Sequence, residues 1–253
     1  MKPFLLRGAL AGAIAGVLAF VALIVLGEPS IRDAIAIEDA AARAARAVGD
    51  EPLFSRDMQV LGGSLGVMIF GVLLGTIFGV VFAAVRHWLG SVSEWTRALR
   101  LAGLGFLVVY LVPFLKYPPN PPAVGDPETV NQRTIAYLGL IAIAIIATVV
   151  AARFLARRRA AGWPSHVGLP AAVVLWIVMI GVATAVMPGN ADPIRIGAKL
   201  IWRFRLASLG GQVAFWATLG TVFGWLGIRQ TGRKVFGRTP ADRAPEEPVL
   251  RGG

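Results

Sequence analysis

The stretch IAYLGLIAIAIIATVVAARFLARRR, residues 135–159, decides the fold class of this chain. Its first eighteen residues carry no charge, and a helix needs about 20 mostly apolar residues to cross roughly 30 Å of hydrocarbon. The arginines that follow, Arg153, Arg157, Arg158 and Arg159, have no acid among them. Short basic loops of this kind stay on the cytoplasmic side of a membrane. The stretch therefore predicts a membrane-spanning helix and the side on which it ends.

The composition of the whole chain agrees with a membrane protein and excludes two other classes. Of the 253 residues, 56% are hydrophobic and 15% are charged, whereas soluble domains carry about 25% charged residues. So few charges cannot cover the surface of a soluble enzyme, and so apolar a chain is not intrinsically disordered. The chain has no cysteine, which excludes disulfides, thiolate metal sites and cysteine nucleophiles.

Five further stretches are apolar and long enough, or nearly so, to span a membrane. The weakest is the third, where Arg100 shortens the uncharged run and must extend its side chain toward the headgroups. Because the runs are long and do not alternate, they predict helices and not a β-barrel. We expect an all-α, polytopic membrane helix bundle with about six transmembrane helices, at residues 5–26, 62–85, 98–115, 135–155, 169–187 and 206–228.

The distribution of charge predicts the orientation of the bundle. The N-terminus, the loops 86–100 and 153–168 and the tail after residue 228 hold 15 of the 25 basic residues. The opposite side holds ten of the fourteen acids, so both termini are expected in the cytoplasm (N-in/C-in). Topology and the attraction of anionic lipids account for the net charge of +11. Nucleic acid is therefore not expected as a partner.

The chain is expected to form one transmembrane domain, residues 1–230, followed by a tail. The tail, residues 231–253, is rich in Pro, Arg and Glu, which predicts a disordered cytoplasmic segment. An apolar run follows Lys2 and Arg7 near the start of the first span, and it could be taken for a signal peptide. It is too long, and no small-x-small cleavage site follows it, so we expect a retained helix.

Glycines recur every fourth residue in three of the predicted spans. Small residues at this spacing let helix backbones approach closely inside a membrane. We expect these glycines to serve helix packing, with the lining of an ion path as the alternative. They are Gly8, Gly12 and Gly16 in the first span, Gly71, Gly75 and Gly79 in the second, and Gly220 and Gly224 in the last.

The predicted spans contain no Asp, Glu or His, the residues that coupled transporters usually hold at mid-membrane. The chain also lacks a G-x-x-x-x-G-K-[ST] loop and any Ser/His/Asp or paired-acid constellation, so we expect no enzyme activity and no cofactor. Gln212 is the polar side chain best placed for a pathway, with a helix–helix hydrogen bond as the alternative. His87 and His166 are expected to be separate surface residues in cytoplasmic loops.

The segment after the first span concentrates acids on the external side. Pro29 is expected to end the first helix, because the residue before a proline is pushed out of the helical region. Ser30 and Asp33 then predict a capping box that opens an external interfacial helix over residues 31–48. Carboxylate oxygens suit hard or borderline divalent cations, and a merely solvated helix is the alternative. The four carboxylates are those of Glu28, Asp33, Glu38 and Asp39.

Two further segments lie on the same side. Residues 116–122, KYPPNPP, can form neither a helix nor a central strand. This proline segment is expected to be a stiff polyproline stretch over the external helix ends. Asp126 and Pro127 are expected to begin the next helix as N-cap and N1. Arg56, before the second span, is as suited to pairing with a carboxylate as to any other role.

Several motifs within residues 1–227 resemble one family. They are RGALAG (7–12), GEPSI (27–31), AIAIE (34–38), SR (55–56) with Gln59, FLKYPPNPPAVG (114–125) and WRFRLASLG (202–210). The proline segment and the last, arginine-containing motif are the most specific. On these motifs the chain resembles the CbtA family, cobalt transporter subunits of bacterial membranes.

The resemblance implies cobalt uptake linked to cobalamin supply, in the inner membrane of a bacterium. Cobalt is then the transported ion, and the partner is a small single-span membrane protein that bears the histidines this chain has so few of. Family members commonly carry an acid after the asparagine in the loop between the fifth and sixth spans. Here Asn190 is followed by Ala191, and Asp192 comes next.

Glu28 and Glu38 are the expected metal-binding residues, since both are external and lie within the resemblance. A turn at Pro29 is expected to fold the interfacial helix back over the bundle and complete a weak oxygen site. The other candidates for a functional role are Arg56, Gln59, Tyr117, Pro118, Asn120, Pro121, Arg203, Arg205 and Gln212. Two functions stay open. External acids favour a divalent-cation permease subunit, whereas spans without coupling residues favour a non-transporting scaffold or assembly factor.

Overall fold

A computed structural model describes residues 1–44, 55–121, 124–125, 127–189 and 196–236, and within these residues it contains helices and no strand. The α-helices are α1 (Lys2–Ala22), α2 (Glu28–Ala44), α3 (Arg56–Val85), α4 (Glu94–Gly105), α5 (Val112–Lys116), α6 (Val130–Ala160), α7 (Ser165–Val186) and α8 (Ala198–Phe236). Two π-helical turns, Leu23–Gly27 and Phe106–Leu111, join α1 to α2 and α4 to α5.

Six helical stretches in the described part of the chain are long and apolar enough to cross a membrane. This confirms the predicted all-α membrane bundle, and the chain is a multi-pass membrane protein. The stretches are Lys2–Ala41, Asp57–Val85, Glu94–Lys116, Val130–Ala160, Ser165–Val186 and Ala198–Arg229. Arg100 lies in the third, where its guanidinium donates a hydrogen bond to the Leu89 carbonyl at 2.6 Å.

The side of the membrane on which each terminus lies stays a prediction, so we name the two ends of the bundle by their charge. The acidic end holds Glu28 and Glu38, and the basic end holds Arg7 and the Arg157–Arg159 run. The predicted domain boundary at residue 230 falls inside α8, which continues to Phe236. Residues 237–253, most of the predicted tail, lie outside the described residues.

The prediction that Pro29 ends the first helix is wrong. The chain passes from α1 through the π-helical turn into α2, and Glu28 keeps helical dihedral angles while its N–H donates to the Leu23 carbonyl. A proline lacks an N–H and its ring crowds the preceding turn, and the wider π turn gives room for it. Pro113 follows the second π turn at the same offset as Pro29 follows the first. The capping box at Ser30 is therefore absent, and residues 45–48 of the predicted interfacial helix lie outside the described residues.

Helix α1 packs along α3 through the two glycine stripes, which confirms the packing interpretation for these helices. A Cβ atom on Gly75 would lie 2.6 Å from the Gly12 Cα, so no larger residue fits. The apolar core lies where these helices meet α4 and α8, around Phe82, Leu219 and Phe223. Helices α6 and α7 form a second pair that packs against the second π turn.

The start of α6 follows the prediction approximately. Pro127 opens a short 3₁₀ turn, Pro127–Thr129, and α6 begins at Val130. Asp126, the expected N-cap, lies outside the described residues.

Candidate functional site

At the acidic end, the first residue of α2 is a buried carboxylate. Glu28 follows the π turn and is 7% exposed, although charged residues are almost never fully buried without a partner. The Arg32 guanidinium, one turn on, donates to its Oε1 at 3.0 Å. Arg32 itself is 70% exposed, so one partner of Glu28 stands in solvent. The carboxylate is therefore held at the boundary between the bundle and water.

Ser30, two residues further along α2, is also buried. Ser30 is 1% exposed, and its hydroxyl has no hydrogen-bond partner among the described residues, although a buried hydroxyl normally has one. Ala34, one turn further, is fully buried, and α2 contacts α8. Glu28 and Ser30 thus place two oxygen-bearing side chains inside the acidic end of the bundle.

Glu38 lies apart from Glu28. It is exposed, and ten residues along one helix separate the two by about 15 Å. Because the helix does not turn at Pro29, no fold-back brings these carboxylates together. Asp33, between them, accepts a hydrogen bond from Arg203 at 3.2 Å, which ties α2 to the start of α8. The geometry of the two-carboxylate site therefore differs from the expectation, and Glu28 is the buried member.

The start of α3 lies at the same end. Ser55 caps the helix, accepting a hydrogen bond from the Met58 N–H at 3.4 Å. Arg56 is the first helical residue, but its side chain lies outside the described atoms. Gln59 is exposed on the following turn.

The prediction for the proline segment is wrong at Lys116, which is the last residue of α5, and right for residues 117–121, which are neither helix nor strand. Burial raises the pKa of the Tyr117 phenol above its ordinary value, so the hydroxyl stays protonated and donates to the Pro188 carbonyl at 2.7 Å. Pro118 lines a cavity beneath the segment, and Pro121 is fully buried. The segment is therefore anchored to the end of α7 and to the bundle.

Arg205 joins the two most specific motifs of the sequence. Its guanidinium donates to the Asn120 side-chain oxygen at 2.9 Å and to the Pro119 carbonyl at 3.4 Å. Arg203 reaches α2 instead, so the start of α8 contacts both polar segments of the acidic end. Gln212 lies half-buried on α8, about 10 Å beyond Arg205 along the helix axis.

The described residues contain no group of three or more His, Asp or Glu side chains that could hold a metal ion. His87 and His166 are both exposed, one after α3 and the other in the first turn of α7. A complete cobalt shell from this part of the chain would need water, backbone carbonyls or another molecule.

The sequence interpretation missed a buried charge at the basic end. Arg7 is 5% exposed and donates to Glu94 Oε1 at 2.6 Å and to the Phe223 carbonyl at 2.8 Å. The Phe223 ring lies 4.2 Å from its guanidinium carbon, which adds a cation–π contact. The charge pattern predicts only a role in topology for Arg7. The available signal was an arginine inside an apolar span, together with a lone acid in an otherwise basic loop.

The family model of CbtA, described as the probable cobalt transporter subunit, matches residues 1–227. The chain therefore belongs to the CbtA family, as the motifs predicted. Neither a curated protein nor a solved structure matches it.

Proposed function

We propose that this CbtA-family chain is the membrane subunit that admits cobalt at its acidic end, in an uptake system linked to cobalamin supply. The observation that carries the proposal is the buried carboxylate of Glu28 at the mouth of the first span, with the buried hydroxyl of Ser30 two residues further along the same helix. Oxygen ligands of this kind bind a divalent cation weakly when water completes the shell. Weak binding suits an ion that has to be passed onward.

Arg32 is the group that an arriving cation would displace. Arg32 is mostly exposed, so its charge stays hydrated when it leaves Glu28, and the cation takes over the compensation of the buried carboxylate. A doubly charged ion can take the carboxylate while the guanidinium turns into water. Glu38, exposed about 15 Å away along the helix, acts in this proposal by attracting cations and not as a ligand in the same shell.

In this proposal a partner chain supplies the histidine ligands of which this chain has few. Imidazole is a preferred ligand of first-row metals such as cobalt, and both histidines of this chain lie exposed near the basic end. The family description names a subunit, which implies a further chain. We propose that this partner is a small single-span protein with histidines and that both chains lie in the inner membrane of a bacterium. The termini of the chain described here are then both cytoplasmic, and the chain is not an enzyme.

The test is cobalt and nickel accumulation in cells that express this chain alone and then with its partner. We expect Glu28→Gln to lower uptake most at low external cobalt, with a smaller effect of Glu38→Gln. Asp33→Asn is the matched control, since it removes a carboxylate of the same helix that is already paired with Arg203. Wild-type uptake kinetics in the Glu28→Gln/Glu38→Gln variant, at normal expression, would overturn the entry site.

One observation favours the second function, a non-transporting scaffold or assembly factor. The described residues hold no three-ligand metal group, so the ion path could belong to the partner. Purified chain in cobalt-free vesicles separates the two functions. Cobalt entry through this chain alone supports the permease, whereas entry that needs only the partner supports the scaffold.

A further inference from the structure

A cavity of about 330 Å³ lies between the proline segment and the first turns of α6. Its volume equals that of roughly eleven water molecules, enough for a phosphate group and its glycerol. The lining includes Tyr117, Asn120, Arg133, Thr134, Tyr137 and Leu138. No motif of the proposed cobalt route accounts for this cavity.

The polar groups of the cavity suit an anion and not a metal ion. Arg133 is the charged residue among its described lining, which includes no acid. Asn120 accepts from Arg205 with its side-chain oxygen, so its amide nitrogen is the part available to donate. The Tyr137 phenol adds a further hydroxyl. Arginine and hydroxyl donors of this kind recognise phosphate oxygens.

The cavity also has an apolar side at the level of the membrane boundary. Val130 and Leu138 line it and are about half exposed, and Ile135, between them on α6, is 71% exposed. On a membrane-spanning helix such residues face hydrocarbon. The site thus joins phosphate-binding donors to a surface for methylene groups. Basic pockets beside transmembrane helices bind anionic lipid headgroups in the same manner.

We propose that this cavity binds the phosphodiester headgroup of an anionic phospholipid. Arg133, Asn120 and Tyr137 hold the phosphate, and Val130 and Leu138 contact the start of the acyl chains. The bound lipid fills the space under the proline segment and holds it against α6. This site is separate from Glu28, and its occupancy does not require cobalt.

The test measures lipid retained by the purified full chain after reconstitution with phosphatidylglycerol or phosphatidylcholine. We expect preferential retention of phosphatidylglycerol and about a tenfold loss of that preference in Arg133→Gln, because a charge-assisted hydrogen-bonding group is removed. Tyr137→Phe removes one hydroxyl without changing the ring and should lower retention less. Arg43→Gln is the matched control, since Arg43 is exposed on α2 and its guanidinium binds a backbone carbonyl.

Two results would overturn the proposal. The first is equal retention of the zwitterionic and anionic lipids by the wild-type chain. The second is an Arg133→Gln variant that keeps the wild-type preference although its thermal transition shows that it is folded. Competition with inorganic phosphate tests whether the bound phosphate group belongs to a lipid or to a soluble anion. Displacement of the lipid by millimolar phosphate alone would show that the site takes a soluble anion, which also overturns the lipid assignment.

Discussion

Arg205 and Asn120, separated by 85 residues, meet through a 2.9 Å hydrogen bond at the acidic end of the bundle. Asn120 lies in the proline segment, and Arg205 lies at the start of the last span. The same guanidinium also reaches the Pro119 carbonyl. Since a polyproline segment has no internal hydrogen bonds, this arginine holds the segment in place together with the hydrogen bond from Tyr117 to the Pro188 carbonyl.

Replacing Arg205 by lysine should loosen the proline segment. Lysine carries one compact ammonium and cannot reproduce the forked geometry of a guanidinium. We expect the free energy of unfolding to fall by about 1–2 kcal/mol, seen as a lower thermal midpoint in detergent. Arg203→Lys is the control, because its exposed pair with Asp33 is worth at most about 1 kcal/mol. Equal effects of the two changes would contradict this role for Arg205.

The contact between α1 and α3 predicts a size limit at Gly75. A leucine there would press on the backbone of Gly12, and we expect a loss of about 3 kcal/mol, the upper end of the overpacking range. Folded yield and thermal midpoint measure it. Gly63→Leu, on the same helix with no described atom within 4 Å of the added Cβ, should leave both unchanged. A Gly75→Leu variant as stable as Gly63→Leu would show that the two helices do not pack in this way.

The predicted orientation can be tested by labelling, since the chain has no cysteine. Cysteines are introduced by Asn131→Cys at the acidic end and Ser165→Cys at the basic end, both at exposed positions. An impermeant thiol reagent should label the first in intact cells, because basic loops stay in the cytoplasm. The second should be labelled only after permeabilisation. The reverse pattern would invert the topology and place Glu28 inside.

Much of the fold follows from local patterns in the sequence. Uninterrupted apolar runs predicted the six spans because a bilayer demands length and hydrophobicity from each helix separately. Glycine spacing predicted close packing, because a larger side chain at Gly75 would clash with any helix that packs closely on that face. The choice of partner helix was not predictable, because one small-residue stripe matches another equally well.

The candidate site was less predictable, for two physical reasons. The rule that proline ends a helix failed at Pro29, because a π turn, which has no sequence signature of its own, made room for the ring. The burial of Glu28 and the contact of Arg205 with Asn120 depend on helices far apart in the chain. Motif resemblance identified these residues as important without indicating that they meet.

The ion pair of Arg7 and Glu94 gives the last prediction. Arg7 is buried against Phe223, and removing Glu94 would leave its charge without a carboxylate in a weakly solvated place. Breaking such a pair costs more than an exposed bridge is worth, so Glu94→Ala should lower the free energy of unfolding by about 2–3 kcal/mol. Asp57→Ala is the control, because Asp57 also lies in the first turn of a spanning helix and has the same favourable interaction with the helix dipole.

A double variant separates the charge from the packing. Replacing Arg7 by methionine in the Glu94→Ala background removes the unpaired charge while keeping a long side chain against the Phe4 and Phe223 rings. Because a buried charge alone is costlier than no charge at all, we expect the thermal midpoint to rise above that of Glu94→Ala. A double variant less stable than Glu94→Ala would show that Arg7 does not depend on this carboxylate. The hydrogen bond to the Phe223 carbonyl would then be what holds α1 against α8 at the basic end.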